Sequence, residues 1–292
     1  MPWLLALAIP IALLIDRWFG EPPAAVHPVV GMGRFLALFG DRLCAMSAKA
    51  AFLGGALAWT IGLLLAALTA WAIEHTIIAG LEPWLGGWRL GAAALLVGLA
   101  LKPMLAWRML RDEVGAVETA LACSLDDGRT RLSRLVSRDT RALSPVQVRE
   151  TAIETLAENL NDSVVAPLFW FMVAGLPGAA AYRFANTADA MWGYRGRWEW
   201  AGKWAARADD LLSWIPARLT GLALIALRPA LLASLRREAA RTPSPNGGWP
   251  MGAMALRLDR LLSKPGHYTL DPSGAPVAAG DIGAAPRPAR GA

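Results

Sequence analysis

Residues 51–73 read AFLGGALAWTIGLLLAALTAWAI and contain no charged side chain. A transmembrane helix needs about 20 mostly apolar residues to cross the hydrocarbon core of a bilayer. This stretch therefore predicts a membrane-spanning helix, and it decides the fold class. Working outward from it, we expect four further apolar segments, at residues 1–15, 90–107, 164–181 and 214–232.

The composition supports a membrane protein. Of the 292 residues, 55% are hydrophobic and 18% are charged, whereas soluble domains carry about 25% charged residues. This balance excludes an ordinary cytosolic enzyme, a disordered chain and a coiled coil. Three histidines and two cysteines exclude a dense Cys/His metal cluster. No β-alternation is visible, so the sequence predicts an all-α, polytopic helical bundle in the membrane, forming a single domain over residues 1–292.

The distribution of Lys and Arg predicts the orientation, because basic loops stay on the cytoplasmic side. Residues 74–89 contain one arginine and residues 108–162 contain eight, so the first loop is expected outside and the second inside. The basic character of residues 182–213 then favours 164–181 and 214–232 as segments that are re-entrant or packed within the bundle, with a break near Gly175-Leu-Pro-Gly178. The expected cytoplasmic loops are 16–50, 108–163, 182–213 and 233–283, followed by a flexible tail at 284–292.

A row of acidic residues gives the strongest chemical signal. Glu150, Glu154, Glu158 and Asp162 recur every four residues on a helix predicted to begin at Ser144-Pro145, a good N-cap and first-turn pair. Like charges at this spacing repel by about 0.2–0.5 kcal/mol per pair. The alternative is a solvated acidic face, but charges beside a membrane segment are usually functional. We therefore expect Mg²⁺ with phosphate, which needs few protein carboxylates, on Glu154, Glu158, Asn159 and Asp162.

Other polar groups leave two interpretations open. Each could belong to a binding or catalytic site, and each could instead be a salt bridge, a helix interior, a structural histidine or a simple turn. Ser244–Pro250 in particular could present backbone amides to an anion. These groups are Ser137-Arg138-Asp139-Thr140, Arg183 with Asn186-Thr187-Ala188-Asp189, Asp209-Asp210 with Arg218, His27, and Ser244-Pro245-Asn246-Gly247-Gly248-Trp249-Pro250.

Several common motifs are absent from the sequence. Gly196–Lys203 is too long for a phosphate loop and lacks its Ser/Thr, and no dinucleotide fingerprint, nucleophile elbow or His-Glu-x-x-His occurs. The basic residues are interleaved with acidic ones, so we expect no nucleic-acid partner.

Taken in order, the polar motifs resemble those of adenosylcobinamide-phosphate synthases, the CbiB/CobD-type membrane family of cobalamin biosynthesis. The resemblance runs from about residue 16 to 283. It departs from the family pattern at the C-terminus, which lacks the common final hydrophobic segment. The matching motifs are Asp16-x-x-x-Gly20-Glu21-Pro22, His27-Pro28-Val29 with Met32-Gly33, Ser137–Thr140, Glu154-Thr155-x-x-Glu158-Asn159-x-x-Asp162, Asn186-Thr187-x-Asp189, Gly202 through Asp209-Asp210, Pro216-Ala217-Arg218 and Ser244–Gly248.

The resemblance implies an ATP- and Mg²⁺-dependent amide ligase in the cell membrane, with its active site facing the cytoplasm. It would join aminopropanol, generally as its O-phosphate, to the free propionate of the corrinoid adenosylcobyric acid, beside other corrinoid-assembly enzymes. The catalytic groups would be Glu158 and a proton acceptor among Asp139, Asp189 and Asp210. Substrate and phosphate binding would fall to His27, Ser137, Arg138, Thr140, Arg183, Asn186, Arg218, Ser244, Asn246 and Gly247.

Two other classes of function compete with an enzyme. A transporter also uses intramembrane carboxylates and broken helices, although most of the polar motifs lie in predicted cytoplasmic loops and no inverted repeat is visible. A structural scaffold within a corrinoid-synthesis complex is the third reading. Product formation by detergent-purified protein, without vesicles or a membrane potential, discriminates among the three.

Overall fold

The computed structural model describes residues 2–81 and 88–286, and the chain divides into two compact units. Unit 1 is Met1–Trp107 with Asp162–Leu212, and unit 2 is Arg108–Asn161 with Ser213–Ala292. The expectation of a single domain stays a prediction. The elements are α1 (Pro2–Phe19), α2 (Pro28–Cys44), α3 (Ala48–Leu81), α4 (Trp88–Leu101), α5 (Trp107–Cys123), α6 (Leu125–Leu132), α7 (Pro145–Leu160), α8 (Ala166–Trp192), α9 (Lys203–Leu212), α10 (Trp214–Leu224), α11 (Leu232–Ala239), α12 (Gly248–Leu258), β1 (Leu262–Lys264), β2 (Tyr268–Leu270) and α13 (Asp281–Ala284).

Three helical stretches are long and apolar enough to cross a membrane: Ala48–Leu81, Trp88–Cys123 and Pro145–Trp192. They contain the predicted segments 51–73, 90–107 and 164–181, so the membrane character of the chain is confirmed. The predicted boundary at residue 74 is wrong, because α3 continues to Leu81. Glu74 therefore lies within a helix rather than in a loop.

Unit 1 packs small and large apolar side chains between these helices. Ala8, Ala12 and Ala93 are fully buried where α1 packs against α4, while Phe184 and Trp192 fill the core between α8 and its neighbours. Alanines let helix backbones approach closely, which suits packing within a membrane.

The helix α8 is interrupted where the sequence predicts a break. Ala174 and Gly175 leave helical geometry, and Gly175 has φ 66° and ψ −155°, a conformation open to glycine because it has no Cβ. A break frees backbone N–H groups, which are costly to bury without a partner. The Glu74 carboxylate accepts a hydrogen bond from the Leu176 N–H at 2.6 Å. Glu74 thus caps the second half of α8.

The segment 214–232 is not one apolar helix, so that prediction is wrong in its bounds. The helix α10 ends at Leu224, and a short 3₁₀ turn at Pro229–Leu231 precedes α11. Pro229 explains the interruption, because the residue before a proline is disfavoured in helical conformation. Arg228 accordingly adopts φ −136° and ψ 65°.

The chain is nearly all-α, as the sequence predicts, except for one small hairpin in unit 2. The strands β1 and β2 pair antiparallel, with Leu262 opposite Leu270 and Lys264 opposite Tyr268. Both leucines are fully buried, and β1 packs against α7. Strands of three residues are too short for alternation to be visible in the sequence, so the hairpin was missed.

The predicted flexible tail at 284–292 is wrong for its first residues. The helix α13 ends at Ala284, and Ala285 is buried. Residues 287–292 lie outside the described part of the chain.

Candidate functional site

Most of the predicted site residues fall into two groups, one in each unit. We call Glu150, Glu154 and Glu158 on α7 the acidic row, which belongs to unit 2. We call Asp162, Asp189, Asp209 and Asp210 the aspartate cluster, which belongs to unit 1 together with Arg183 and Asn186.

The helix that carries the acidic row begins where the sequence predicts. Ser144 is its N-cap: the Ser144 Oγ accepts a hydrogen bond from the Gln147 N–H at 3.3 Å, and the Gln147 Oε1 accepts one from the Ser144 N–H at 2.8 Å. Pro145 occupies the first turn. This capping box satisfies two of the donors left open at a helix N-terminus and fixes the start of the row.

The acidic row is not a solvated face over most of its length. Glu150 is 3% exposed and Glu154 is 4% exposed, whereas Glu158 is exposed. A buried carboxylate needs hydrogen-bonding or charged partners. Ser263 of β1 donates to Glu150 Oε2 at 2.7 Å, and Arg138 donates to Glu154 Oε2 at 3.0 Å.

One oxygen of the buried pair is left open. No described residue donates a hydrogen bond to Glu154 Oε1. The same Arg138 nitrogen, Nη2, also donates a hydrogen bond to the Thr151 hydroxyl oxygen at 2.6 Å. The side chain of Arg138 is 22% exposed, so the ion pair is nearly but not fully buried.

Tyr268 of β2 interacts electrostatically with the same carboxylates, and no sequence motif marks it. Burial raises the pKa of the Tyr268 hydroxyl above its usual value of 10, and the negative charges of Glu154 and Glu158 raise it further. The hydroxyl therefore stays protonated at physiological pH and acts as a neutral donor. Met251 Sδ lies 3.7 Å from it. Only the hairpin brings Tyr268 here, and no local signal predicts that hairpin.

Of the motif Ser137–Thr140, Arg138 is the residue that contacts the acidic row. Ser137 is exposed, and the Thr140 hydroxyl donates to the Arg129 carbonyl at 3.0 Å. Asp139 is exposed and pairs with Arg141 at 2.8 Å. Hydrogen bonds from Arg141 lower the pKa of Asp139 to about 2, which makes this carboxylate a weak base and disfavours its predicted role as a proton acceptor.

The Ser244 turn is closed by its own side chain. The Ser244 Oγ accepts hydrogen bonds from the N–H groups of Asn246 and Gly247, at 3.2 and 3.0 Å. Those two amides are therefore already engaged, which disfavours an anion cradle built from them, and a role of this turn in substrate binding stays a prediction. A Cβ atom placed on Gly247 would lie 3.5 Å from Glu158 Oε1, so the turn adjoins the exposed end of the acidic row.

Arg218 lies beside this turn in unit 2. Its guanidinium is stacked between two indole rings, 4.0 Å from the ring of Trp214 and 5.0 Å from that of Trp249. It also donates to Asn246 Oδ1 at 3.3 Å. The same nitrogen, Nη1, donates to the Trp214 carbonyl at 2.6 Å, so part of the guanidinium edge is already engaged. The structure thus brings Arg218 and Asn246, two predicted phosphate-binding residues, near the turn that adjoins Glu158.

The aspartate cluster is built on a local distortion of the helix that leads into α8. Residues Asn161–Val165 form a π-helical turn that contains Asp162. Such bulges are rare and occur frequently at functional sites. The Asp162 carbonyl accepts a hydrogen bond from Arg183 Nη1 at 3.0 Å, and Ser163 Oγ lies 3.2 Å from the same nitrogen. The Tyr182 hydroxyl lies 3.4 Å from Asp162 Oδ1.

Asp209 interacts with the other carboxylates of the aspartate cluster. Burial raises the pKa of Asp209 well above its usual range, and the charges of Asp162 and Asp189 raise it further, while a hydrogen bond with Asn186 opposes the shift. No described residue donates to the buried Asp209 Oδ1. The neighbouring Asp210 is a predicted proton acceptor; burial raises its pKa, and the charge of Arg207 lowers it. Adjacent positions on a helix face different directions, so sequence alone does not choose between them.

His27 has a structural role in unit 1. Its Nδ1 accepts the Val29 N–H at 3.2 Å at the start of α2, and its Nε2 lies 3.0 Å from Glu21 Oε2. Both ring nitrogens are therefore engaged, which disfavours substrate binding. Lys102 Nζ lies 2.8 Å from the same Glu21 oxygen and 3.4 Å from the buried Asp16. Lys102 lies within the predicted apolar segment 90–107.

The predicted metal ligands lie in both units. Glu154, Glu158 and Asn159 belong to unit 2 and Asp162 to unit 1, and Asn159 Nδ2 donates to the Thr155 carbonyl at 3.0 Å. Within the described residues, no three His, Cys, Asp or Glu side chains are grouped to hold a metal ion. Mg²⁺ is commonly bound by one or two carboxylates with phosphates and water, so the open Glu154 Oε1 and the exposed Glu158 still fit that ion.

Comparison with protein families identifies the group to which the chain is related. The family described as CobD/Cbib protein matches residues 9–289. The chain belongs to the CobD/CbiB family. The match includes every residue of the acidic row and the aspartate cluster, and every other residue predicted for the site.

Named relatives of this CobD/CbiB protein are similar along most of its length. The probable cobalamin biosynthesis protein CobD of Pyrococcus furiosus is 39% identical over 263 residues, covering 90% of this chain and 86% of the relative. The cobalamin biosynthesis protein CobD of Dehalococcoides mccartyi is 36% identical over 269 residues, covering 89% and 84%. That of Brucella anthropi is 37% identical over 279 residues, covering 90% and 83%. No solved structure matches the chain.

Membership of the CobD/CbiB family makes this chain an enzyme of cobalamin biosynthesis. The helices long enough to cross a membrane agree with the membrane character that the sequence predicts. The polar groups described above are therefore the candidates for its active site.

Proposed function

We propose that this CobD/CbiB protein forms an amide bond between aminopropanol O-phosphate and the free propionate of adenosylcobyric acid, and that it consumes ATP with Mg²⁺. One observation carries the proposal. The nearly buried Arg138–Glu154 pair leaves one carboxylate oxygen open, and the exposed Glu158 lies one helical turn further along α7. Paired carboxylates beside arginine side chains suit a metal-bound triphosphate better than a neutral ligand.

The reaction needs an activated carboxylate. A propionate oxygen would take a phosphoryl group from ATP to give an acyl phosphate and ADP. The amine would then attack the acyl carbon, the C–N bond would form, and phosphate would leave with the electrons of the broken C–O bond. The attacking ammonium must lose one proton to reach its nucleophilic form. The protein therefore has to position phosphates, hold a cation and accept a proton.

The residues of unit 2 suit the phosphate and metal roles. When bound, Mg²⁺ would neutralise phosphate charge, and Glu154 and Glu158 are its proposed ligands, with Asn159 of the same helix as a further one. Arg218, fixed between two tryptophans, would bind a phosphate. Arg138 would hold Glu154 in its orientation.

The residues of unit 1 suit the proton-accepting role. A base works best when its pKa lies near the operating pH, and burial raises the pKa of both Asp209 and Asp210. Asp189 acts electrostatically on Asp209. We propose these three carboxylates, rather than Asp139, as candidates for the acceptor, with Arg183 and Asn186 orienting them.

The direct test uses purified protein in detergent. Given adenosylcobyric acid, aminopropanol phosphate and MgATP, it should form adenosylcobinamide phosphate, detected by mass spectrometry, without vesicles or a membrane potential. Leaving out ATP or Mg²⁺ should abolish the product. Corrinoid uptake into proteoliposomes with no product in any condition would support the transporter instead.

We also propose a multi-pass protein with its active site facing the cytoplasm. Accessible cysteines test this, in a background where Cys44 and Cys123 are replaced. Cysteines at the exposed positions Ser133, Glu199 and Ser273 should react only from the cytoplasmic side, and one at Gly80 only from the other side. Labelling of Glu199→Cys from outside would contradict the placement of residues 182–213.

A further inference from the structure

A cavity of about 470 Å³ in unit 2 is lined by α6 and by the loop that joins α6 to α7. Every residue that lines it is charged or carries a hydroxyl group, and three of them are arginines: Arg129, Arg138 and Arg141. Arg138 also donates to Glu154, so the cavity adjoins the acidic row. A cavity with this lining suits a polar, anionic ligand.

Arg129 ties the two walls of the cavity together. Its carbonyl accepts a hydrogen bond from the Thr140 hydroxyl at 3.0 Å, and its Nε donates to the Leu143 carbonyl at 2.8 Å. Thr140 is 5% exposed, and its carbonyl accepts a hydrogen bond from the Leu143 N–H at 3.2 Å. The loop is therefore fixed against α6 before a ligand binds, which lowers the entropic cost of binding.

Two of the arginines keep guanidinium donors for a ligand. Within the described residues, both hydrogen bonds of the Arg138 side chain use Nη2, so its Nε and Nη1 remain. Arg129 uses Nε for the Leu143 carbonyl and Nη1 for Asp126, so its Nη2 remains. The side chains of Arg129 and Arg138 are 23% and 22% exposed, so a ligand in the cavity can reach these donors.

The aspartates at the cavity are partners that a stronger anion can replace. Asp126, which pairs with Arg129, is 88% exposed, and Asp139, which pairs with Arg141, is 58% exposed. Exposed ion pairs contribute little to stability. Another carboxylate would gain nothing over these aspartates, whereas a phosphate group carries a charge of about −1.5 to −2 and three acceptor oxygens. Guanidinium groups match that geometry with paired donors.

We propose that this cavity binds a phosphate group of a substrate, through Arg129 and Arg138 together with the exposed Arg141. The inference rests on the proposed function for the source of the phosphate, since both ATP and aminopropanol phosphate carry one. Arg218 is the phosphate ligand proposed beside the Ser244 turn. Two phosphate-bearing substrates would thus have two separate arginine sites in unit 2.

The test measures binding of three probes to the detergent-purified protein by isothermal titration calorimetry. The probes are a non-hydrolysable ATP analogue, aminopropanol phosphate, and propionate as the carboxylate control. Arg129→Gln and Arg141→Gln each remove one guanidinium from the cavity. Arg134→Gln is the matched control, because Arg134 is an exposed arginine of the same segment that does not line the cavity. Thermal unfolding of each variant is recorded in parallel.

Arg129→Gln should weaken the binding of at least one phosphate probe by about 10-fold or more, the scale of a hydrogen bond to a charged group. The KM for the corresponding substrate should rise by a similar factor, and this identifies the source of the phosphate. Arg141→Gln should weaken the same probe by about 2–5-fold at an unchanged unfolding temperature, since its pair with Asp139 is exposed. It therefore tests the site even if Arg129→Gln fails to fold. Arg134→Gln should bind both phosphate probes as wild type does, and propionate should bind far more weakly.

Four results would overturn the proposal: wild-type protein that binds neither phosphate probe, Arg141→Gln protein that binds both as tightly as wild type, equal weakening in Arg134→Gln, or propionate that binds as tightly as the phosphates. The proposed function fails separately. Protein that makes no amide but binds a phosphate probe through Arg129 and Arg141 keeps the site and loses the reaction. Protein that makes the amide while Arg141→Gln binds both probes normally keeps the reaction and loses the site.

Discussion

The carboxylates of the acidic row in unit 2 have different partners from those of the aspartate cluster in unit 1. In the row, Glu150 accepts a hydrogen bond from Ser263, and Glu154 is paired with Arg138. In the cluster, Asp209 is surrounded by other carboxylates, and its buried Oδ1 receives no hydrogen bond from a described residue. Both groups were read from the sequence as acidic residues near apolar segments, yet their partners differ in kind.

This difference teaches that the two groups contribute differently to stability. A buried charge with a partner costs stability when that partner is removed. A carboxylate held against like charges costs stability while it is ionised. We therefore expect substitutions in the row to destabilise unit 2 unless they fall at its exposed end, and substitutions in the cluster to be neutral or stabilising.

The largest expected effect is on activity, at the exposed end of the row. Glu158→Gln should lower kcat for amide formation by about 10²–10³-fold, the scale of losing one group that stabilises transferring charge. Folding should be intact or slightly more stable, because repulsion from Glu154 is relieved. Turnover and thermal unfolding of the same preparation measure both.

A matched control is Glu199→Gln, which removes an exposed carboxylate in unit 1 outside the aspartate cluster. It should keep full activity. If the free energy of unfolding of Glu158→Gln falls along with its activity, Glu158 stabilises the fold. The lost activity would then give no support for a catalytic or metal-binding role.

The second prediction breaks the buried ion pair. Arg138→Met should lower the free energy of unfolding by about 2–3 kcal/mol, somewhat below the usual cost of an unpaired buried charge, because Arg138 is 22% exposed. Arg141→Met, in the exposed pair with Asp139 in the same loop, should leave the free energy of unfolding nearly unchanged, because exposed ion pairs contribute little. Denaturant unfolding in detergent measures both.

The double variant Arg138→Met/Glu154→Gln sharpens this result. Replacing both partners removes the buried charge, so it should recover most of the lost stability. Failure to recover would mean that Arg138 stabilises unit 2 through packing rather than through Glu154.

Much of this pattern could be predicted from the sequence, and the rest depends on distant contacts. The start of α7, the break near Gly175 and the membrane character follow from local rules of capping, glycine geometry and segment length. The residues that belong to the family motifs were identified, and Arg218 and Asn246 do lie together in unit 2. Spacing in the sequence does not predict which of these motif residues contact each other.

The errors have physical causes. Tyr268 reaches Glu154 across more than a hundred residues, through strands too short to show alternation. Sequence spacing does not predict that Arg141 pairs with Asp139 and makes it a weak base. The choice between Asp209 and Asp210 depends on the direction that each faces, which requires the packing of α9.

The third prediction concerns the Ser244 turn. In this turn of unit 2, the Ser244 Oγ accepts hydrogen bonds from two neutral backbone N–H groups. Ser244→Ala leaves two buried backbone amides without their acceptor, and this should cost about 1–2 kcal/mol of unfolding free energy. Ser234→Ala, in α11, is the control and should cost less, because that hydroxyl accepts a hydrogen bond from the exposed Arg237 rather than from buried amides. If Ser244→Ala instead keeps its stability and lowers the KM for the phosphorylated amine, the freed amides bind an anion as the sequence first suggested.

The smallest expected effect is in the aspartate cluster, and it depends on pH. Burial and the charges of Asp162 and Asp189 raise the pKa of Asp209 in the folded protein above its usual value of 3.8. An acid whose pKa is raised by folding contributes stability below its unfolded pKa and loses that contribution as the pH rises through its folded pKa. Asn does not titrate and can keep the hydrogen bond with Asn186. Asp209→Asn should therefore match wild type at about pH 4 and unfold at a higher temperature than wild type by about pH 8.

The control is Asp41→Asn, at an exposed carboxylate in unit 1. Its unfolding temperature should show no gain over wild type that grows with pH. Thermal unfolding of both variants across this range decides the matter: a constant difference for Asp209→Asn, or a loss that grows with pH, would mean that the Asp209 carboxylate is stabilised in its charged form and that the cluster, like the acidic row, pairs its charges.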